Sequence, residues 1–183
     1  MTASERDALL ADVRTYLAFR DKVAAFQSLH FGALCTAACF QSRLSACCTR
    51  DGILTFFADH VVNALVSEPR ELDELLDALA RGGDDGAKCV YLGPDGCRWR
   101  LRPLICAMFL CEQASDRVFP RDPVLGSAWE DLSRHALAFR WPDRPVLFDL
   151  LEKRFIDRGV DSPLMHLHKS PGLLRLKRRA GLD

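Results

Sequence analysis

Eight cysteines fall in two groups of four and nowhere else in the chain: Cys35, Cys39, Cys47 and Cys48, then Cys89, Cys97, Cys106 and Cys111. Thiols clustered in this way support two kinds of chemistry. They oxidise in pairs to disulfides, or they bind soft metals as thiolates. A tetrahedral zinc ion accepts four cysteines in a closed site, and iron–sulfur clusters also accept four thiolates. Either centre needs ligands from separate parts of the chain brought within a few ångströms of one another.

The spacings set conditions on that convergence. Cys35 and Cys39 are four residues apart, so on a helix they share a face. Cys47 and Cys48 are adjacent, and neighbouring side chains diverge on regular structure. The pair suits an irregular loop, two neighbouring sites, or one ligand beside one core thiol. Cys89 and Cys97 flank Gly93-Pro94-Asp95-Gly96, a turn-forming stretch between two short strand-like runs over Lys88–Leu101. A two- or four-residue loop there would put these cysteines on opposite faces, so a shared site predicts an odd loop or a bulge, with Gly96 as the permissive residue. On one continuous helix, Cys111 would lie about 140° round the axis from Cys106, too far to share an ion. The candidate ligands are therefore Cys89, Cys97, Cys106, Cys47, Cys48, Cys39 and Cys35, while Cys111 reads as readily as a small apolar core residue.

The elements that must position these thiols are mostly helical. Leu9, Leu10, Val13, Leu17, Val23 and Phe26 recur at three- and four-residue steps, predicting an amphipathic helix over Ala3–Leu29. A second helix is expected beyond Ala58 up to Val66. A third starts near Ser67 with Pro69 in its first turn, carries Leu72, Leu75, Leu76 and Leu79 on one face, and ends at Gly82-Gly83. After the hairpin, Pro103 opens a short apolar helix through Leu110. Pro120, Pro123 and Gly126 mark a surface connection, and two more helices are expected around Ser127–Phe139 and Pro145–Arg158. Beyond the turn, Cys97, Trp99 and Leu101 alternate with Arg98, Arg100 and Arg102, as a core face alternates with a solvated one. Arginines near thiols also favour the ligating thiolate. The fold class is mainly α: one helical domain over residues 1–183 with a small irregular hairpin, organised around a cysteine-cluster core at about residues 35–111.

Composition separates metal from disulfide. A chain of 183 residues buries a core without covalent staples. Lys+Arg and Asp+Glu are equal at 25 each, giving no overall charge to recruit nucleic acid or membrane. The start Met-Thr-Ala-Ser-Glu-Arg-Asp lacks a secretory pattern, and no apolar run approaches the roughly 20 residues of a membrane span. A cytoplasmic setting follows as the expectation, and there thiols stay reduced. Metal ligation is the leading reading.

The second group and its surroundings, Lys-Cys-Val-Tyr-Leu-Gly-Pro-Asp-Gly-Cys-Arg-Trp-Arg-Leu-Arg-Pro-Leu-Ile-Cys, resemble the signature of the YkgJ-like cysteine-cluster family. That signature is a cysteine, a short apolar run, a Gly-containing turn, a second cysteine, then Arg-Pro and a third cysteine. Here these are Cys89, Cys97, Arg102-Pro103 and Cys106, and the tandem Cys47-Cys48 is similar to the close of the family's earlier motif. Ala107, Met108 and Phe109 stand where the family tends to carry Arg and an aromatic–Pro step. The resemblance implies chelation of zinc, iron or an iron–sulfur centre, and no particular reaction.

Other chemistries find little support. His166 and His168 are two apart, which on a helix makes them diverge, so they read as exposed or core-edge residues. His60 could add a ligand, but Asp59 before it reads as a helix-start residue. Neither a Ser-His-Asp arrangement nor a phosphate loop is apparent, and the basic tail around Lys177-Arg178-Arg179 reads as a solvated helix end. The expected partner is a metal ion. An iron–sulfur redox enzyme or electron carrier is the second reading, and a thiol-rich structural or adaptor domain is the third.

Overall fold

A computed structural model gives the architecture, and it describes residues 2–35, 37, 55–82, 89–93, 96–140 and 144–182. The long N-terminal helix α1 spans Ala3–Cys35 and buries Leu9, Val13, Tyr16, Phe19, Arg20, Val23 and Phe31. It runs past the expected end at Leu29. No proline interrupts His30–Cys35, and Phe31 anchors the extension by packing edge-on against Phe119 at 5.6 Å. Helix α2 (Phe57–Val66) packs on α1 and on α7 (Leu147–Ile156). Helix α3 (Pro69–Arg81) begins with Pro69, and the Glu71 carboxylate accepts the Glu68 N–H at 2.9 Å. It ends at Gly82, whose φ of +68° favours glycine.

A two-stranded hairpin follows, β1 (Leu92–Gly93) against β2 (Gly96–Cys97). Helix α4 is short, Leu104–Ala107, and does not reach Leu110 as the sequence suggested. The carbonyl of Ala107, which a longer helix would use internally, instead accepts the side-chain N–H of Gln27 from α1. Cys111 then caps a helix the sequence reading did not anticipate, α5 (Glu112–Val118). Helix α6 (Pro123–Arg140) starts before the expected Ser127, because Pro123 suits a first turn and the Asp122 carboxylate accepts the Val124 N–H at 3.1 Å. Gly126 thus lies inside a helix, where a Cβ would stand 3.7 Å from Phe119.

The core gathers the inner faces of α1, α2, α6 and α7. Tyr16 meets Phe139 and Phe148 edge-on at 5.0 and 5.4 Å, an arrangement aromatic quadrupoles favour. Two short C-terminal helices, α8 (His166–Lys169) and α9 (Pro171–Arg179), close onto α7 through buried charge. Glu152 accepts the N–H groups of Leu167 and His168 at 3.3 and 2.7 Å, while Asp149 pairs with His168 at 2.8 Å and with Lys177. Lys177 is therefore buried, not solvated as its basic neighbourhood suggested. Arg178 and Arg179 remain exposed. The chain is mainly helical, and no helix among the described residues is long and apolar enough to cross a membrane.

Candidate metal centre

The hairpin register pairs Leu92 with Cys97 and Gly93 with Gly96, with no bulge between the two pairs. This corrects the odd loop or bulge predicted for a shared Cys89–Cys97 site. Strand parity nonetheless fails to separate the two thiols, because Cys89 is not on the strand. The Leu92 N–H donates to the Cys89 carbonyl at 2.9 Å, which closes a turn over Cys89–Leu92 and ends the alternation there. Tyr91, in that turn, registers both cysteines: its phenol is pushed above its usual range first by burial, then by Cys89 and Cys97. A thiolate near a phenol disfavours the phenolate, so both sulfurs act on one hydroxyl.

Around this turn the packing is aromatic. Trp99 is buried, with Tyr91 edge-on at 5.3 Å and His60 at 4.8 Å. The Arg98 guanidinium folds back over Gly93, where a Cβ would come within 3.1 Å of it. Burial alternates as expected from Trp99 to Arg102, with Trp99 and Leu101 more buried than Arg100 and Arg102, although β2 itself ends at Cys97. Cys97 is exposed while Trp99 is buried, so they do not share a core face as expected.

Cys106 sits on α4, and the segment leading to it is fixed by polar side chains from two helices. Asn63 accepts the Leu101 N–H at 2.9 Å, and Asp59 accepts the Leu104 N–H at 3.0 Å. Arg20 donates to the Arg102 carbonyl at 2.6 Å and to the Tyr16 hydroxyl at 2.8 Å. Gln27 binds the Ala107 carbonyl and accepts from the Arg102 guanidinium at 2.9 Å. The second carboxylate oxygen of Asp59 accepts the Phe56 N–H at 3.0 Å, which starts α2. One buried acid thus serves both the helix start expected of it and the cysteine segment. Burial holds its carboxyl above the ordinary range, against the two backbone hydrogen bonds and the charges of Arg20 and Arg140.

The remaining cysteines are less closely grouped. Cys35 ends α1, eight residues past Gln27, or about 12 Å along the axis at 1.5 Å per residue. Met108 to Leu110 are not helical, so the helix-phase reason for separating Cys111 from Cys106 no longer applies. Cys111 is a half-buried free thiol whose carbonyl accepts the Ala114 and Ser115 N–H groups. Cys39, Cys47 and Cys48 lie outside the described residues. Among the described residues no three His, Cys, Asp or Glu side chains stand close enough together to hold an ion. The donor set fits a thiophilic metal to this extent: Cys89 and Cys97 both raise the Tyr91 phenol, and Cys106 sits on a segment held by side chains of α1 and α2.

His60 is half-buried, donates to or accepts from the Thr55 hydroxyl at 3.1 Å, and burial lowers its basicity. His166 packs edge-on against Phe56 at 6.4 Å and His168 pairs with Asp149, so both occupy the core edge as expected. Arg20, Gln27 and Asn63 were not singled out from the sequence. Arg20 could have been, because it falls on the apolar stripe of α1 between Tyr16 and Val23, where an unpartnered charge would be costly. No family model, curated protein or solved structure matches the chain.

Proposed function

We propose that this chain chelates zinc or iron through a cysteine cluster, with Cys89, Cys97 and Cys106 as its core and Cys47 and Cys48 as the nearest partners in kind. Cys39 and Cys35 are further candidate ligands. The observation that carries the reading is the joint action of Cys89 and Cys97 on Tyr91. A cation offsets the mutual repulsion of neighbouring thiolates, and a bound metal supplies that charge while holding the cysteines deprotonated. The resemblance to the YkgJ-like signature points the same way, and the reading goes with a cytoplasmic setting, where thiols stay reduced.

Protein purified without oxygen should carry about one equivalent of zinc or iron per chain, and binding should stabilise the fold by linkage. Serine at Cys89, Cys97 or Cys106 should release the metal and lower the melting temperature. A colourless zinc protein makes the cluster a chelating or structural centre. A brown protein that bleaches on oxidation makes it an iron–sulfur redox enzyme or electron carrier. Metal content below about a quarter equivalent would leave a thiol-rich adaptor domain and sink the chelation reading.

A further inference from the structure

Between α1 and the exit of the hairpin lies a cleft of about 650 Å³, within the 300–1,000 Å³ typical of small-molecule sites. Its polar lining is unequal in sign. Arg20, Arg100 and Arg102 line it, with Asp21 as the one carboxylate among the described lining residues, and Cys97 lines it too. The rest is mostly aliphatic side chains of α1 and the end of α2, together with the Trp99 indole. Two donors in this wall lack an acceptor among the described residues: Arg20 Nε and Trp99 Nε1. Both residues are only 5 % exposed. Buried N–H groups are nearly always satisfied, so these two donors leave hydrogen-bonding capacity in the cleft wall that the described residues do not use.

We propose that this cleft binds a small organic acid, its carboxylate toward the arginines and its apolar body against the aliphatic wall and Trp99. Guanidinium forks match carboxylate geometry, and a low-dielectric wall strengthens the pairing. Arg100 is available for it: its existing partner Glu71 is 3.5 Å away, and its side chain is 63 % exposed. The carboxylate would arrive beside Cys97, yet the site is built from arginines and an indole and does not require a metal.

Phenylacetate and its neutral isostere phenylacetamide are suitable probes, followed by calorimetry and by the indole N–H resonance of Trp99, assigned with a Trp99→Phe variant. Phenylacetate should bind saturably and move that resonance, and phenylacetamide should bind at least about tenfold more weakly, as expected when charge-assisted hydrogen bonds are lost. Arg100→Gln and Arg102→Gln should each weaken phenylacetate about two- to fivefold, the range of partly exposed ion pairs. Equal binding of the two probes, or an unmoved Trp99 resonance, overturns the proposal. Metal content measured on the same samples keeps the two claims apart. Binding by metal-poor protein supports the cleft against the chelation reading, and metal-loaded protein that ignores phenylacetate does the reverse.

Discussion

Replacing Asp59 by alanine removes the acceptor for two backbone donors at once, the N–H groups of Phe56 and Leu104, each 3.0 Å away. Leu104 is fully buried and Phe56 is 9 % exposed, so water cannot readily take the place of the carboxylate. An unsatisfied buried donor costs about 1–3 kcal/mol, so the pair should cost about 2–6 kcal/mol. At roughly 2–4 °C per kcal/mol for a chain of this size, the melting temperature should fall by at least about 4 °C. Asparagine keeps one carbonyl acceptor and should lose about half as much. Urea unfolding followed by far-ultraviolet circular dichroism measures both variants. A second arm uses pH. Burial raises the folded-state pKa of Asp59 above its ordinary 3.8, so the folded chain holds this proton more tightly than the unfolded one. Wild-type stability therefore falls as pH rises from 3.8 through the raised value. Asparagine does not titrate, so the wild-type advantage over Asp59→Asn should shrink across that window. An alanine variant within about 0.5 kcal/mol of wild type would refute the role assigned to Asp59. An advantage that grows with pH would show that Arg20 and Arg140 outweigh burial.

Other expectations are more local. His60 should titrate below 6.5 in a proton NMR titration, because burial disfavours its charged form; a value at or above 6.5 contradicts its packing against Trp99. Cys111 occupies the N-cap of α5 without a side-chain cap hydrogen bond. Serine there should stabilise the fold by about 0.5–1 kcal/mol in urea unfolding and leave metal content unchanged. Loss of metal in Cys111→Ser would instead make it a ligand, which the break between α4 and α5 allows. Gly82→Ala should cost about 1–3 kcal/mol in the same unfolding assay, because φ +68° with ψ 149° is a region nearly confined to glycine; no loss would mean the C-cap relaxes.

How far the sequence revealed this molecule depended on whether local chemistry decided the outcome. Periodic leucines and valines in α1, and proline before and glycine after α3, fix those helices through short-range rules, and they form close to where the sequence placed them. Tertiary competition decided the rest. Helix α4 stops at Ala107 because Gln27, eighty residues away, takes its carbonyl, and that break removes the phase relation read between Cys106 and Cys111. Similarly, the turn at Cys89–Leu92 rests on one backbone hydrogen bond that alternation of residue types does not disclose. Lys177 looked solvated in a basic run, but its register on α9 brings it to buried Asp149. The hairpin cysteines were legible as candidates from type and spacing; of the polar brace behind Cys106, Arg20 on the apolar stripe of α1 carried a signal, whereas nothing in the sequence tied Gln27, Asp59 and Asn63 to the cysteine segment.

The central claim is that sulfur from these cysteines holds a metal. X-ray absorption at the metal edge of protein purified without oxygen tests it most directly. The expected result for zinc is a coordination sphere dominated by sulfur at about 2.3 Å, with sulfur lost when Cys89, Cys97 or Cys106 becomes serine. A sphere of only nitrogen and oxygen at about 2.0–2.1 Å, or no bound metal to excite, would contradict it.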